Sequence, residues 1–228
     1  MVDYGMGNVF SVQHACQVAG LQAAVSSSRE ALFDADAVIL PGVGAFSDAM
    51  DALKRLDLIG PIKDFSATSK PLIGICLGMQ LLMTEGTEFG TREGLGLIEG
   101  VVERLSVEAE GERRLKVPHV GWNRIFKPKA LSGQPSRGAI ERDPWLGMPL
   151  AGLDEGEFMY FVHSYYVLPK HQDVVLSLSR YGHAEFCSSI NSGNIFGFQF
   201  HPERSGPAGL KIYRNLAGLI AQQTHAIR

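Results

Sequence analysis

The chain has 228 residues, 45% of them hydrophobic, enough to bury one sizeable core, so a single domain spanning residues 1–228 is the expectation. A formal net charge of -3 argues against a nucleic-acid partner. No apolar run is long enough to span a bilayer, and no basic stretch followed by an apolar one marks a secretory signal. The scattered, odd-numbered cysteines Cys16, Cys76 and Cys187 suit a reducing, cytoplasmic setting better than a disulfide framework.

Taken in chain order, helical and strand patterns alternate. Val12, Ala15, Cys16 and Ala19 stand at helical spacing, and Gly20 can end that helix. Residues 21–25 and 37–40 read as strands, the second followed by a Pro-Gly loop. Phe46, Ala49, Met50 and Leu53 share one face of a helix over 45–56. A buried strand ends at Cys76, and a helix over 77–84 begins at once. From Leu97 the pattern becomes strand-rich, with a hairpin turn over 191–194 between strands 184–190 and 195–200. An amphipathic helix over 209–220 closes the chain. The βα alternation predicts an α/β fold: a mostly parallel central sheet flanked by helices, with a strand-rich C-terminal half. Ligands of such folds bind beyond the carboxyl ends of the strands, where Cys76 and the loop from Pro41 both lie.

Gly74-Ile75-Cys76-Leu77-Gly78 has the form of a nucleophile elbow with sulfur in place of oxygen. The glycines relieve a turn too tight for β-carbons and let a substrate approach, and the helix N-terminus favours a thiolate. The same pattern also fits a buried inert cysteine. Downstream, an alternating strand runs into His201-Pro202-Glu203. His201 can act as base and Glu203 as the carboxylate that orients it, with Pro202 fixing the backbone between them. A polar turn after a strand, or a zinc site, would use the same residue types. No CxxC or HxxxH pair supports metal, and no metal or cofactor is expected.

Together these motifs resemble the class I, triad-type glutamine amidotransferases, with Cys76, His201 and Glu203 at the catalytic positions. The segments 3–8, 41–46, 118–123, 161–166 and 201–205, in register over nearly the whole chain, are similar to the glutaminase subunits of imidazole glycerol phosphate synthase. The resemblance implies that Cys76 attacks L-glutamine and that His201 protonates the departing ammonia. The ammonia then passes to a (βα)8-barrel cyclase, which makes imidazole glycerol phosphate and an aminoimidazole carboxamide ribotide in histidine biosynthesis. It implies that Val43, Gly44 and Leu77 supply an oxyanion hole completed only in the active state, and that Gln80, Glu88, Ser164 and Tyr165 hold glutamine. It implies that Asn8, His119, Trp122, Asn123 and Arg204 lie on the docking face. Read alone, Pro41–Gly44 is an ordinary turn, Glu88 a solvated charge and Trp122 equally a core residue.

Three departures stand out. Only Met1 and Val2 precede Asp3, where the family has a complete strand. Residues 127–145, rich in Pro and Gly, read as a surface insertion. Arg204 stands where Lys is more usual, which keeps the charge and changes the geometry. Rival readings are an amidotransferase serving another synthase, a stand-alone cysteine hydrolase, and an inactive binding subunit, the last opposed by the intact triad.

Overall fold

The computed structural model describes residues 1–106, 115–128 and 143–227. Two apolar runs form neighbouring parallel strands, β1 (Val38–Gly42) and β2 (Leu72–Cys76), every residue of which is buried. Such unbroken burial is what a strand covered on both faces requires. Beside β2 lies β11 (Ile195–Phe198), also parallel, followed by β10 (Ala184–Ser192) and β9 (Val175–Tyr181), both antiparallel. The five-stranded sheet, in the order β1-β2-β11-β10-β9, is therefore mixed. The reason lies in the hairpin at Gly193-Asn194: a tight turn can only return the chain antiparallel.

Helices cover both faces. Ile39, Ile73 and Ile75 pack with α1 (Val9–Val18) and α6 (Gly206–Ile227) through Val12, Cys16 and Tyr213. Val38, Leu40 and Leu72 pack on the other side with α3 (Phe46–Arg55) and α4 (Ile59–Ser66), near the short α2 (Arg29–Asp34). The helix after Cys76, α5, runs only over Leu77–Leu81, shorter than the predicted 77–84, because β3 (Met83–Gly86) starts almost at once. That strand belongs to a four-stranded sheet with β4 (Arg92–Glu93), β5 (Ile98–Arg104) and β8 (Tyr165–Pro169). A separate hairpin pairs β6 (His119–Arg124) with β7 (Phe158–His163).

The stretch expected as a strand over 21–25 forms none; only Ser26 bridges, to Val2. Residues 1–3 run between it and β1: Val2 N–H donates to Ile39 O at 2.9 Å, Ser26 N–H to Met1 O at 3.0 Å and the Met1 ammonium to Ala24 O at 2.7 Å. Met1 also lines a mostly apolar groove of about 720 Å³ whose walls include Leu21, Ala23, Leu32, Ala37 and Leu216.

Of the predicted insertion, residues 129–142 lie outside the described residues. Its flanks are tied down. Lys127 pairs with Asp143 at 2.9 Å. Trp145, counted at the insertion's end, is fully buried, and its indole donates to Leu176 O at 2.8 Å. A large aromatic with a satisfied N–H belongs to the core, so Trp145 is not part of any surface segment.

Candidate active site

Cys76 ends β2 with φ 54° and ψ -109°, a backbone conformation that residues with a β-carbon avoid. Such strain, of order 1–3 kcal/mol, persists only where the surroundings enforce it. Two glycines do so. A β-carbon on Gly78 would lie 1.8 Å from Leu40 O, and one on Gly74 would lie 2.7 Å from Gly78 O. Both glycines therefore let α5 sit directly on β1 and β2. The Leu77 N–H emerges at the start of α5, but five residues make a small dipole, so the helix contributes less to a thiolate than the sequence suggested.

His201 follows the sheet's central strand and opens a single 3-10 turn, Pro202–Arg204. Its N–H donates to Tyr160 O at 2.9 Å, and its carbonyl accepts from Ser205 Oγ at 2.7 Å. Nδ1 lies 2.8 Å from Glu203 Oε1, with both side chains almost wholly buried. A carboxylate only accepts, so Nδ1 carries the proton and Nε2 is the nitrogen left for chemistry. Burial alone would lower the His201 pKa; the Cys76 sulfur and the Glu203 carboxylate reverse this and push it up to about 10. At neutral pH the ring is held as an imidazolium that can give up a proton.

The Cys76 sulfur also touches Gln199, whose Nε2 donates to Sγ at 3.7 Å, and Val162 O at the same distance. Gln199 Oε1 in turn accepts from Gln80 Nε2 at 3.1 Å, and Gln80 Nε2 also reaches Tyr165 O at 2.9 Å. The other two cysteines have no such setting. Burial raises the Cys16 thiol to about 11 and pushes Cys187 higher still.

A pocket of about 300 Å³ opens at the sulfur. Its walls carry the predicted oxyanion residues Val43, Gly44 and Leu77 and the predicted glutamine contacts Gln80, Glu88, Ser164 and Tyr165. The fold thus brings together residues from four separate stretches of chain. Gln80 spends its amide nitrogen on the protein itself, which makes it a buttress of the wall.

The docking residues divide. Trp122 is 56% exposed, and the Arg204 guanidinium lies 4.8 Å above the Tyr160 ring beside it. Val120 and Phe158 extend the same exposed apolar face, and Asn8, also exposed, caps α1 through Ser11 N–H. His119 and Asn123 are different. The alternation along β6 turns them inward, where His119 is buried and Asn123 donates to Arg180 O at 2.7 Å. They do not belong to the exposed face on which they were expected.

His119 instead belongs to a relay that the sequence did not suggest. His163 Nδ1 must donate to Tyr165 O at 2.9 Å, so its Nε2 accepts from His119 Nδ1 at 3.0 Å, and His119 Nε2 accepts from Asn123 Nδ2 at 3.3 Å. Burial lowers the His119 pKa to about 4 and, with the neighbouring ring, that of His163 to about 3, so both rings are neutral. His163 and Ser205 lie inside the 161–166 and 201–205 segments and Gln199 in the strand that runs into His201, but nothing in their spacing marks the contacts they make.

The sequence matches the profile of the family described as Glutamine amidotransferase class-I over residues 1–217. The imidazole glycerol phosphate synthase subunit HisH of Rhodopirellula baltica is 42% identical over 95% of this chain and 95% of its own. That of Sulfurimonas denitrificans is 44% identical over 94% and 95%, respectively. Among solved structures, PurLQS from Thermotoga maritima superposes with a TM-score of 0.67 at 18% identity, covering 96% of each chain, a likeness of fold alone. The family match over residues 1–217, with relatives 42% and 44% identical over 95% and 94% of the chain, places it in the class I glutamine amidotransferase family, among the HisH glutaminase subunits.

Proposed function

We propose that this chain hydrolyses L-glutamine at Cys76 and delivers the ammonia to the (βα)8-barrel cyclase subunit of imidazole glycerol phosphate synthase, as one cytoplasmic amidotransferase domain. The observation that carries the reading is the strained Cys76 facing a 300 Å³ pocket beside the buried His201–Glu203 pair.

Cys76 attacks the carboxamide carbon, and the C=O pair moves to oxygen, where the N–H groups of Leu77 and of the 42–44 loop receive the charge. His201, held by Glu203, gives its Nε2 proton to the departing nitrogen. Ammonia leaves and a glutamyl thioester remains. Water then attacks the thioester while His201 Nε2 takes its proton; the C–S bond breaks, and glutamate and the thiolate are released. Trp122, Tyr160 and Arg204 form the patch on which the cyclase docks, an aromatic-plus-Arg surface of the kind that anchors interfaces. Free ammonia would protonate in water, which is why the two sites must be joined.

The test uses the complex with the cyclase. Cys76→Ala should abolish glutamine hydrolysis and leave synthesis from added ammonium salts intact, because the two reactions sit on separate chains. Retained glutaminase activity would reject the assignment.

A further inference from the structure

The loop that supplies the oxyanion donors is tied at both ends by side chains from elsewhere. At its start Tyr4 Oη donates to Pro41 O at 2.7 Å, and a β-carbon on Gly42 would lie 2.5 Å from that hydroxyl. At its end the first amide of α3, Phe46 N–H, donates to Glu88 Oε2 at 2.8 Å. Helix α3 has no cap of its own: Ala45 occupies the N-cap position and makes no side-chain hydrogen bond. The carboxylate that satisfies this orphan amide comes from 42 residues away. The Phe46 ring is fully buried, and a β-carbon on Gly86 would lie 2.9 Å from it. Residues 86–88 therefore hold Phe46 by ring and by amide. Only Gly42, Val43, Gly44 and Ala45 span the gap between the anchors, with Val43 42% exposed and Gly44 at φ +111°.

Glu88 also lines the pocket, in company with Cys76 and Val43. A carboxylate has two oxygens, and the Phe46 amide takes one, which leaves acceptor capacity for a cation in the pocket. We propose that Glu88, which the family resemblance already gives as the acceptor of the substrate's α-ammonium, is also a positioning residue for the oxyanion loop, so that occupancy of the ammonium position and the setting of the 42–44 segment are linked. This rests on the glutamine reading of the pocket. The linkage is reciprocal: the preference the ammonium imposes on the loop returns as affinity when the loop is set. Tyr4 holds the opposite end of the same short segment through Pro41 O.

Steady-state glutaminase kinetics of the cyclase complex test this with wild type, Glu88→Gln and Glu88→Ala, each on L-glutamine and on glutaramate, which lacks the α-ammonium. Glu88→Gln keeps an oxygen for Phe46 N–H and loses the charge. Its KM for glutamine should rise about tenfold or more, the scale of a lost charge-assisted contact, with most of kcat kept. Glu88→Ala should show the same KM rise and a further loss in kcat of at least about tenfold, from a loosened loop. On glutaramate, Glu88→Gln should match wild type while Glu88→Ala stays slow. Equal kcat in the two variants would overturn the positioning role, and an unchanged KM in Glu88→Gln would overturn the ammonium contact. If Glu88→Ala fails to fold, hydrogen exchange at the wild-type Phe46 amide decides. Slowing when glutamate binds supports the linkage, and no change defeats it. A wild-type complex without glutaminase activity would reject the glutamine reading itself, a result distinct from either.

Discussion

Gly78→Ala isolates the claim that backbone packing sets the nucleophile. An added β-carbon would stand 1.8 Å from Leu40 O and 2.8 Å from Leu40 C, both backbone atoms of a fully buried residue in β1. Real contacts of this kind stay beyond 3.0 Å, so α5 must move off the sheet by more than an ångström. Cys76 and the Leu77 N–H sit at the start of that helix and move with it. A misplacement of about 1 Å can cost on the order of 10² in rate. The strain of such overpacking is about 1–3 kcal/mol or more, against a gain of about 1 kcal/mol from the better helix former. We therefore expect glutaminase kcat in the cyclase complex to fall at least about a hundredfold, and Tm by several degrees. The control is Gly218→Ala in α6, where a β-carbon meets nothing within 4 Å; that change should stabilise by about 0.5–1 kcal/mol and leave kcat alone. Steady-state kinetics with thermal melts of both variants decide the point. A Gly78→Ala enzyme with wild-type kcat would refute the reasoning.

Three further outcomes are expected. Val43→Gly should raise the basal glutaminase rate of the isolated chain and shrink the stimulation by cyclase and its nucleotide ligand. Wild type should gain about 10²–10³ in kcat on activation, the usual worth of an oxyanion donor, and full activity of wild type alone would rule out a switch. His119 and His163 are neutral when folded and titrate near 6.5 when unfolded, so the unfolded chain binds more protons below that pH. The stability these two rings contribute should be fully present above about pH 6.5 and fall by about 2 kcal/mol per ring by pH 5, a slope that His119→Asn should reduce in pH-dependent denaturant melts. The groove beside Met1 predicts that four apolar residues joined before Met1 raise Tm by about 4 °C or more over a Gly-Ser extension of equal length. Equal melting of the two would show that the groove does not take a strand.

What the sequence made legible is what depends on local chemistry. The Gly74 and Gly78 flanks, the continuous apolar runs of β1 and β2, and the hairpin turn each carry their own signal and each forms, although β1 extends through Pro41 and Gly42, read as loop, and the turn expected over 191–194 tightens to Gly193-Asn194. The mixed character of the sheet follows from that turn, yet it needs the knowledge that β11 lies beside β2, a contact across 120 residues or more. The segment at 21–25 misled because four of its five residues are apolar, while only Ser26 finds a ladder partner. At the site, the triad and most of the pocket walls lay in motifs, while Glu88 read alone as a solvated charge. His119 and Asn123 were misplaced although the alternation of β6 already set them opposite Trp122. The Glu88–Phe46 and Tyr4–Pro41 anchors are tertiary hydrogen bonds with no trace in spacing.

The most direct measurement is covalent labelling of the cyclase complex with an electrophilic glutamine analogue, followed by intact mass and peptide mapping against residual glutaminase activity. One adduct on Cys76, in step with complete loss of activity and prevented by L-glutamine, is the expected result. Cys16 and Cys187, buried with raised thiol pKa values, should stay unmodified. Labelling of another residue, or full activity in a chain fully modified at Cys76, would contradict the account.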